Sequence, residues 1–543
     1  MSADNPKPYY LRVGKAPDLA LSGERALYRF FEVLPGALAW GTLGGSVLFS
    51  WLWPVGVAVF IIAFDVYWLL KTVYLSVHLI AAYHKLRRNT ATDWLKKLDA
   101  LIFERPEGIE KFSDHSVTPS LRHSITHWHD LWHLVILPFY DESSDIIHSS
   151  LASIAAANYP KDRMIVVLAS EARSGQRGQD VSRVMQAEFG GLFAKFLITA
   201  HPADIPGEIA GKGSNEAWAA KQAKAVIDQM GIPYDRIIMS VFDSDTRAYP
   251  DYFACLAWHY LTCENPTRSS FQPVPVFNNN IWQAPFFSRV VATSSTFWHM
   301  MKQEAQERMT TFSSHSMSFT AIVEMGFWQT NIVSEDSRVF WQALLTFDGD
   351  YRVVPLHYPV SMDACLAHTW WQTVKNQYKQ QRRWGWGVEN VPYMLFGFWK
   401  NRAMPFGNKL YFTFMQFEGF WSWSTNAILI FLLGWLPLAL GGEAFNQSVL
   451  SYRLPLITRT LMTLALVGMF ISAGISLLLL PPRPRHFSWT RHIGMALQWL
   501  ILPVSIMFLG AFPGIEAQTR LMLGKYMGFW VTEKARKESA PSL

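Results

Sequence analysis

The sequence predicts an α/β domain, a mostly parallel sheet with flanking helices, inserted between N-terminal and C-terminal transmembrane helices. Three observations carry this expectation. Charge-poor apolar runs at 34–53 and 55–83 precede a more polar middle region, and runs at 410–440, 455–480 and 493–512 follow it. The middle region alternates short β-prone runs with helical stretches, the pattern of right-handed strand–helix–strand units. Within it the run 237–242 (IIMSVF) ends abruptly in Asp243 and Asp245. Buried parallel strands read this way, and ligands of open α/β sheets sit at the carboxyl ends of such strands.

Composition agrees with a soluble domain flanked by membrane helices. Of 543 residues 50% are apolar, 15% aromatic and only 17% charged. That is too apolar for a soluble enzyme and too charged for a bundle lying wholly in lipid. Cys255, Cys263 and Cys365 form no metal or disulfide motif and fit a reducing compartment. The net charge of +6 suits an anionic inner-leaflet surface and calls for no nucleic-acid partner.

A polar, basic tail (1–32) leads to two expected transmembrane helices within 33–83, joined by a tight turn near Pro54. Each apolar run approaches the roughly 20 residues needed to span the hydrocarbon core. A second span follows the first at once, which argues against a cleaved signal peptide. Asp65 in the second helix reads two ways, as an interior or aqueous-path carboxylate or as an interface anchor. The basic HKLRR stretch after it places the flanking segments in the cytoplasm. The connector 84–132 is expected to hold an amphipathic helix at 94–103. His123, His127, His129 and His133 match no zinc-ligand spacing and are read as interface histidines.

The catalytic domain is assigned to 133–375. A first strand enters the PFYDE turn, a helix covers 145–157, and a second strand at 164–168 runs into Ala169-Ser170-Glu171. The polar stretch 171–180 is expected to be a loop. Gly211-Lys212-Gly213, ahead of a helix from about 215, reads either as a phosphate-cradling turn or as an ordinary helix cap. Asp243 and Asp245, two residues apart past a strand, offer hard oxygen ligands for one divalent cation; a surface turn is the plain alternative. Glu335 and Asp336 stand at the start of a helix over 337–345, where acids are often only capping. Gln380, Arg383 and Trp384 then set amide, guanidinium and indole on neighbouring turns of a segment assigned, with an interface helix, to 376–408.

In this order the elements PFYDE, GKG, DSD, SED and QQRRW resemble the membrane-embedded, processive family-2 inverting glycosyltransferases, which include cellulose and hyaluronan synthases. The match spans 133–387, and Gln-x-x-Arg-Trp is its most specific part. The resemblance implies a GT-A type nucleotide-sugar-binding domain. By it, Tyr140, Glu142, Lys212, Asp243, Gln380 and Arg383 bind the nucleotide sugar. Asp245, with Asp243 beside the diphosphate, holds Mg²⁺ or Mn²⁺. Asp336 is the base, Glu335 stands beside it near the acceptor, and Trp384 carries the acceptor sugar. Ser334 replaces the family's Thr. Glu171 stands where the family usually has a base-reading Asp, which leaves the nucleobase open.

About three transmembrane helices are expected in 409–512, followed by a basic tail, 513–543. Arg483, Arg485 and Arg491 place the last interhelical loop in the cytoplasm. Three spans would leave the C-terminus outside, whereas Lys525, Lys534, Arg536 and Lys537 argue for the inside; a re-entrant run or an interfacial 410–423 would reconcile them. The aromatic residues of 412–423 around Glu418 read as an interface belt or as a sugar-stacking channel. The expected function is addition of sugar from a nucleotide-diphosphate sugar, UDP-linked by the resemblance, to a growing polysaccharide. Translocation across the inner or plasma membrane, with the catalytic domain cytoplasmic, would accompany it, with export or accessory subunits as possible partners. Two alternatives stand: single transfer to a lipid carrier, and an export subunit with an inactive transferase domain.

Overall fold

A computed structural model describes residues 7–103, 116–484, 488, 490–531 and 535–536. Arg485, Lys534 and Lys537 lie outside the described residues, as does the side chain of Arg491. The chain begins with two long helices, α1 (Ser22–Leu52) and α2 (Pro54–Thr90). Pro54 opens α2 at the first helical position, where its missing N–H costs nothing. A short helix, α3 (Trp94–Asp99), ends sooner than its apolar pattern suggests and buries Trp94 and Leu98.

Eight strands then form one mixed sheet: β1 (Trp132–Pro138), β2 (Met164–Glu171), β3 (Lys195–His201), β4 (Ile237–Val241), β5 (Arg247–Ala248), β6 (Ser269–Val276), β7 (Ser316–Ser318) and β8 (Arg352–Ser361). Their order is β3-β2-β1-β4-β7-β6-β8-β5. The first half is parallel, with His133 opposite Met164 and Ile238. The short β7 runs antiparallel to both β4 and β6. Every residue of β2 and β4 is buried, so these strands are largely apolar rather than alternating.

Helices cover both faces. On one side α4 (Ser144–Ala155), α5 (Gly175–Phe189) and α7 (Tyr252–Thr262) bury Leu151, Met185 and Phe253 against the sheet. On the other, α6 (Lys212–Met230), α9 (Phe319–Met325) and α10 (Glu335–Thr346) bury Ala220, Ile322 and Leu344. The helix α8 (Phe286–Lys302) packs on β6. Beyond the sheet come α11 (Trp370–Gly385), α12 (Asn390–Lys400) and α13 (Phe406–Ile428).

The stretch 171–180 is not a loop throughout: after a single turn at Ala172–Ser174 it enters α5. Gly175 takes φ +60°, which lets the chain turn from one helix type into the next. The apolar stripe of α5 starts only at Val181, so its polar first turns give no helical periodicity to read.

Four helices among the described residues are long and apolar enough to cross a membrane: Ser22–Leu52, Pro54–Thr90, Val449–Leu478 and His492–Met522. α13 is not one of them. It packs against α1 and α12 and passes into a π-helical turn at Leu429–Leu433. The α/β domain therefore stands between two such helices before it and two after.

Candidate active site

The site gathers at the carboxyl ends of β1, β2 and β4, where the N-termini of α6 and α10 meet. The approach is close: a Cβ on Gly213 would lie 2.9 Å from the Cβ of Glu335, so only glycine lets these two helix starts touch. A Cβ on Gly211 would lie 2.6 Å from the Phe529 ring. The positive ends of both helices therefore converge here, an environment that suits phosphate.

Lys212, the first residue of α6, is the hub. Its ammonium lies 2.7 Å from Asp243 Oδ1 and donates to both Asp336 oxygens at 2.8 and 2.9 Å. Glu216 Oε1 is 3.5 Å away, one helical turn on, and Glu335 Oε1 is 3.9 Å away. Lys212 thus makes ion pairs to acids from three separate elements. Ser313 donates to the other Asp243 oxygen at 2.5 Å.

Four carboxylates around one ammonium cannot all ionise in a buried pocket. Burial, then the neighbouring Asp336 charge, pushes Glu335 up to about 8. Burial likewise drives Glu216 well above the usual carboxylate range. Burial alone would lower Lys212, but Asp243 and Asp336 hold its ammonium well above its ordinary value. His315, 3.9 Å from Asp336, is pushed down to about 4 by burial and stands neutral. Glu216, Glu335 and Asp336 each bring one oxygen within 4.8 Å of the others.

The SED element is clamped from below by Glu389, a residue the motif reading missed. Its carboxylate accepts from the Val333 and Ser334 N–H groups at 3.0 and 2.8 Å, from Ser334 Oγ at 2.6 Å and from Trp386 Nε1 at 2.8 Å. Arg338, fully buried, adds bonds to Asn390 Oδ1 at 2.6 Å and the Glu389 carbonyl at 3.1 Å. The start of α10 is therefore tied to the turn that follows the Gln-x-x-Arg-Trp helix and to the start of α12.

Gln380, Arg383 and Trp384 share one face of α11. Gln380 accepts from Gln377 at 3.0 Å, the Arg383 guanidinium lies 5.2 Å from the Phe529 ring, and Trp384 lies 6.3 Å from Phe277. Arg383 also acts on Glu335 through its charge. On the strand side Glu142 accepts the Tyr140 N–H and Ser244 Oγ, both at 2.8 Å, tying the PFYDE turn to DSD. Glu171 holds Arg173 in a two-point fork.

Asp245 belongs to a second group. It is 2% exposed, and its Oδ2 accepts the Asp363 N–H at 3.0 Å. The Asp363 carboxylate is gripped by Arg536 at 2.7 and 2.9 Å. Asp363 and Glu216 carry no motif signal; only the folded chain brings them in.

An acid-rich strand end, two converging helix starts and a mixed sheet with helices on both faces define a GT-A type domain, here held between terminal apolar helices. The sequence profile of glycosyl transferase family group 2 matches residues 238–512, more than half of the chain. The chain belongs to that family and is a glycosyltransferase. No curated protein matches it. Among solved structures it is similar to the mannosyltransferase PcManGT from Pyrobaculum calidifontis, in complex with GDP-Man and Mn²⁺. That likeness has 14% identity and a TM-score of 0.38, over 79% of this chain and 99% of that one. It is also similar to S. aureus TarS 1-349 in complex with UDP-GlcNAc, with 12% identity and a TM-score of 0.33, over 76% and 99%.

Proposed function

We propose that this chain is an inverting, membrane-bound transferase that adds sugar from a nucleotide-diphosphate sugar to the end of a growing polysaccharide. The observation that carries the reading is the Lys212 hub, which ties the acid of the DSD strand end to the acid of the SED helix start within 2.9 Å. Donor phosphate and acceptor hydroxyl would then meet over one ammonium.

In this mechanism Asp336 takes the proton of the acceptor hydroxyl as that oxygen attacks the anomeric carbon and the diphosphate leaves. Lys212 pairs with both oxygens of Asp336. A diphosphate drawing the ammonium toward itself would free the base only once the donor is present. Glu335, pushed up to about 8 by burial and the Asp336 charge, is not assigned the role of base. Arg383 contributes paired, charge-assisted bonds to the diphosphate, and Trp384 offers a flat face to the acceptor sugar.

Asp243 and Asp245 would offer hard oxygens to a divalent ion, which would have to displace Lys212 from Asp243, and Glu216, Glu335 and Asp336 bring one oxygen each within 4.8 Å of one another beside them. Bound there, Mg²⁺ or Mn²⁺ would neutralise charge on the departing diphosphate. Two apolar helices on either side of the domain would return both basic tails to the domain's side, which supports a cytoplasmic catalytic domain, although the loop that carries Arg483 would then lie on the far side, against its cytoplasmic placement from charge.

Nucleotide release from a panel of UDP- and GDP-sugars, measured on full-length protein in detergent with Mn²⁺, tests this. Turnover of at least one donor, absent in Asp336→Asn, is expected. No release from any donor in the presence of oligosaccharide acceptors would remove the enzymatic reading and leave the export-subunit alternative.

A further inference from the structure

Glu171, the acidic residue that ends β2, does not face the donor site alone. β1 and β2 are parallel with Pro138 opposite Ala169, so Tyr140 and Glu171, each two residues on, stand side by side at the strand ends. The turn Ala172–Ser174 folds Arg173 back over both. Its Nε donates to Glu171 Oε2 at 2.6 Å and its Nη2 to Oε1 at 3.1 Å. Its guanidinium carbon lies 4.1 Å from the centre of the Tyr140 ring. Glu171 is almost wholly buried, while the arginine side chain keeps 32% of its surface open.

This geometry inverts the chemistry of the position. Both Glu171 oxygens are engaged by Arg173 and the side chain is only 5% exposed, so little of the carboxylate is open to a base N–H. Of the five N–H donors on a guanidinium the fork uses two, and the other three have no acceptor among the described residues. The group is held from one edge by Glu171 and lies over the Tyr140 ring, so its remaining donors are fixed on a side chain that is partly open. Such a set suits carbonyl oxygens: guanine O6 with N7, which arginine grips in pairs, or the carbonyls of uracil. Adenine carries an amine in that place and gives arginine a donor to face.

Resting on the donor reading above, we propose that Arg173, clamped by Glu171 and laid on Tyr140, determines nucleotide specificity by reading a carbonyl-bearing base. A plain salt bridge that only pins the turn makes a different prediction, because it would affect all nucleotides alike.

Calorimetric titration of the full-length protein in detergent with UDP, GDP, CDP and ADP, Mn²⁺ present, separates the two. The unaltered protein is expected to favour UDP or GDP over ADP, and which of the two wins tells uracil from guanine. Arg173→Met keeps the stem on Tyr140 and removes the donors. It is expected to weaken the favoured nucleotide by about tenfold or more, the worth of a charge-assisted bond, while ADP barely changes. Arg173→Lys, which keeps the charge and loses the fork, is expected to behave the same way and serves if the Met variant misfolds. An equal loss for all four nucleotides, or an unchanged preference in both variants, would overturn the proposal. Absence of any nucleotide binding by the unaltered protein would overturn the donor reading and this inference with it. Binding of UDP or GDP that survives while its preference is untouched would sink only the role of Arg173.

Discussion

Asp336→Asn removes one charge at nearly constant size, and the surroundings show what should and should not follow. Lys212 keeps Asp243 at 2.7 Å, so the ammonium stays in the site. The Asp336 carbonyl keeps its bond from Thr311 at 2.6 Å, and Glu389 still holds the Val333 and Ser334 N–H groups. Asp336 is 22% exposed and is one of four acids around the lysine. Losing that pairing is worth about 1 kcal/mol, roughly fivefold in an equilibrium. Losing the proton acceptor is worth about 10²- to 10⁴-fold in rate, or ~2.7–5.5 kcal/mol of barrier. The two effects separate cleanly. Nucleotide release at saturating donor and acceptor should fall at least a hundredfold, whereas nucleoside-diphosphate affinity from calorimetry should move by no more than about fivefold. Turnover within a few-fold of the unaltered protein would remove Asp336 as base. Equal losses of rate and affinity would make it a binding residue.

Three further outcomes follow from the same geometry. Asp245→Ala, or excess chelator, is expected to weaken donor affinity and abolish metal dependence, checked by Mn²⁺ titration with and without nucleotide; full activity in chelator would refute the metal assignment. Arg383→Ala should cost donor affinity about tenfold or more, while Trp384→Ala should spare it and cut product length; identical behaviour of two well-folded variants would reduce both to structural roles. Glu335 is raised in the folded state to about 8 from an ordinary 4.5, so the folded protein binds more protons across that window. Stability should therefore fall as pH rises from about 4.5 to about 8. Thermal unfolding of Glu335→Gln should show a shallower fall, and an unchanged pH slope would show that Glu335 is ionised throughout.

Much of this architecture could be read from the chain. The largely apolar runs of β2 and β4 announce strands buried on both faces, and DSD marks where the second of these ends. Residues within a motif were legible because spacing along the chain equals proximity in space: Gln380, Arg383 and Trp384 share a helix face by their i, i+3, i+4 pattern. What escaped was set by tertiary packing. Glu216 looks like an ordinary helix residue until α10 buries it beside Asp336. Glu389 looks like a surface acid near a tryptophan, yet it collects four donors under the SED turn. Asp363 meets Asp245 only because the end of β8 runs past β5. Arg173 lay in a stretch whose polarity hid the start of α5, so its return onto Glu171 left no trace in the sequence pattern.

The central claim is repeated addition to a growing chain, and the size of the product tests it most directly. Full-length protein in lipid vesicles, given radiolabelled donor sugar at low enzyme concentration, should yield long glycan within the first fraction of the reaction. Nucleotide release should far exceed the number of chains made, and Trp384→Ala should shorten the product. Label confined to a single sugar on an organic-extractable lipid, at one nucleotide released per product, would contradict the account and establish single transfer to a lipid carrier instead.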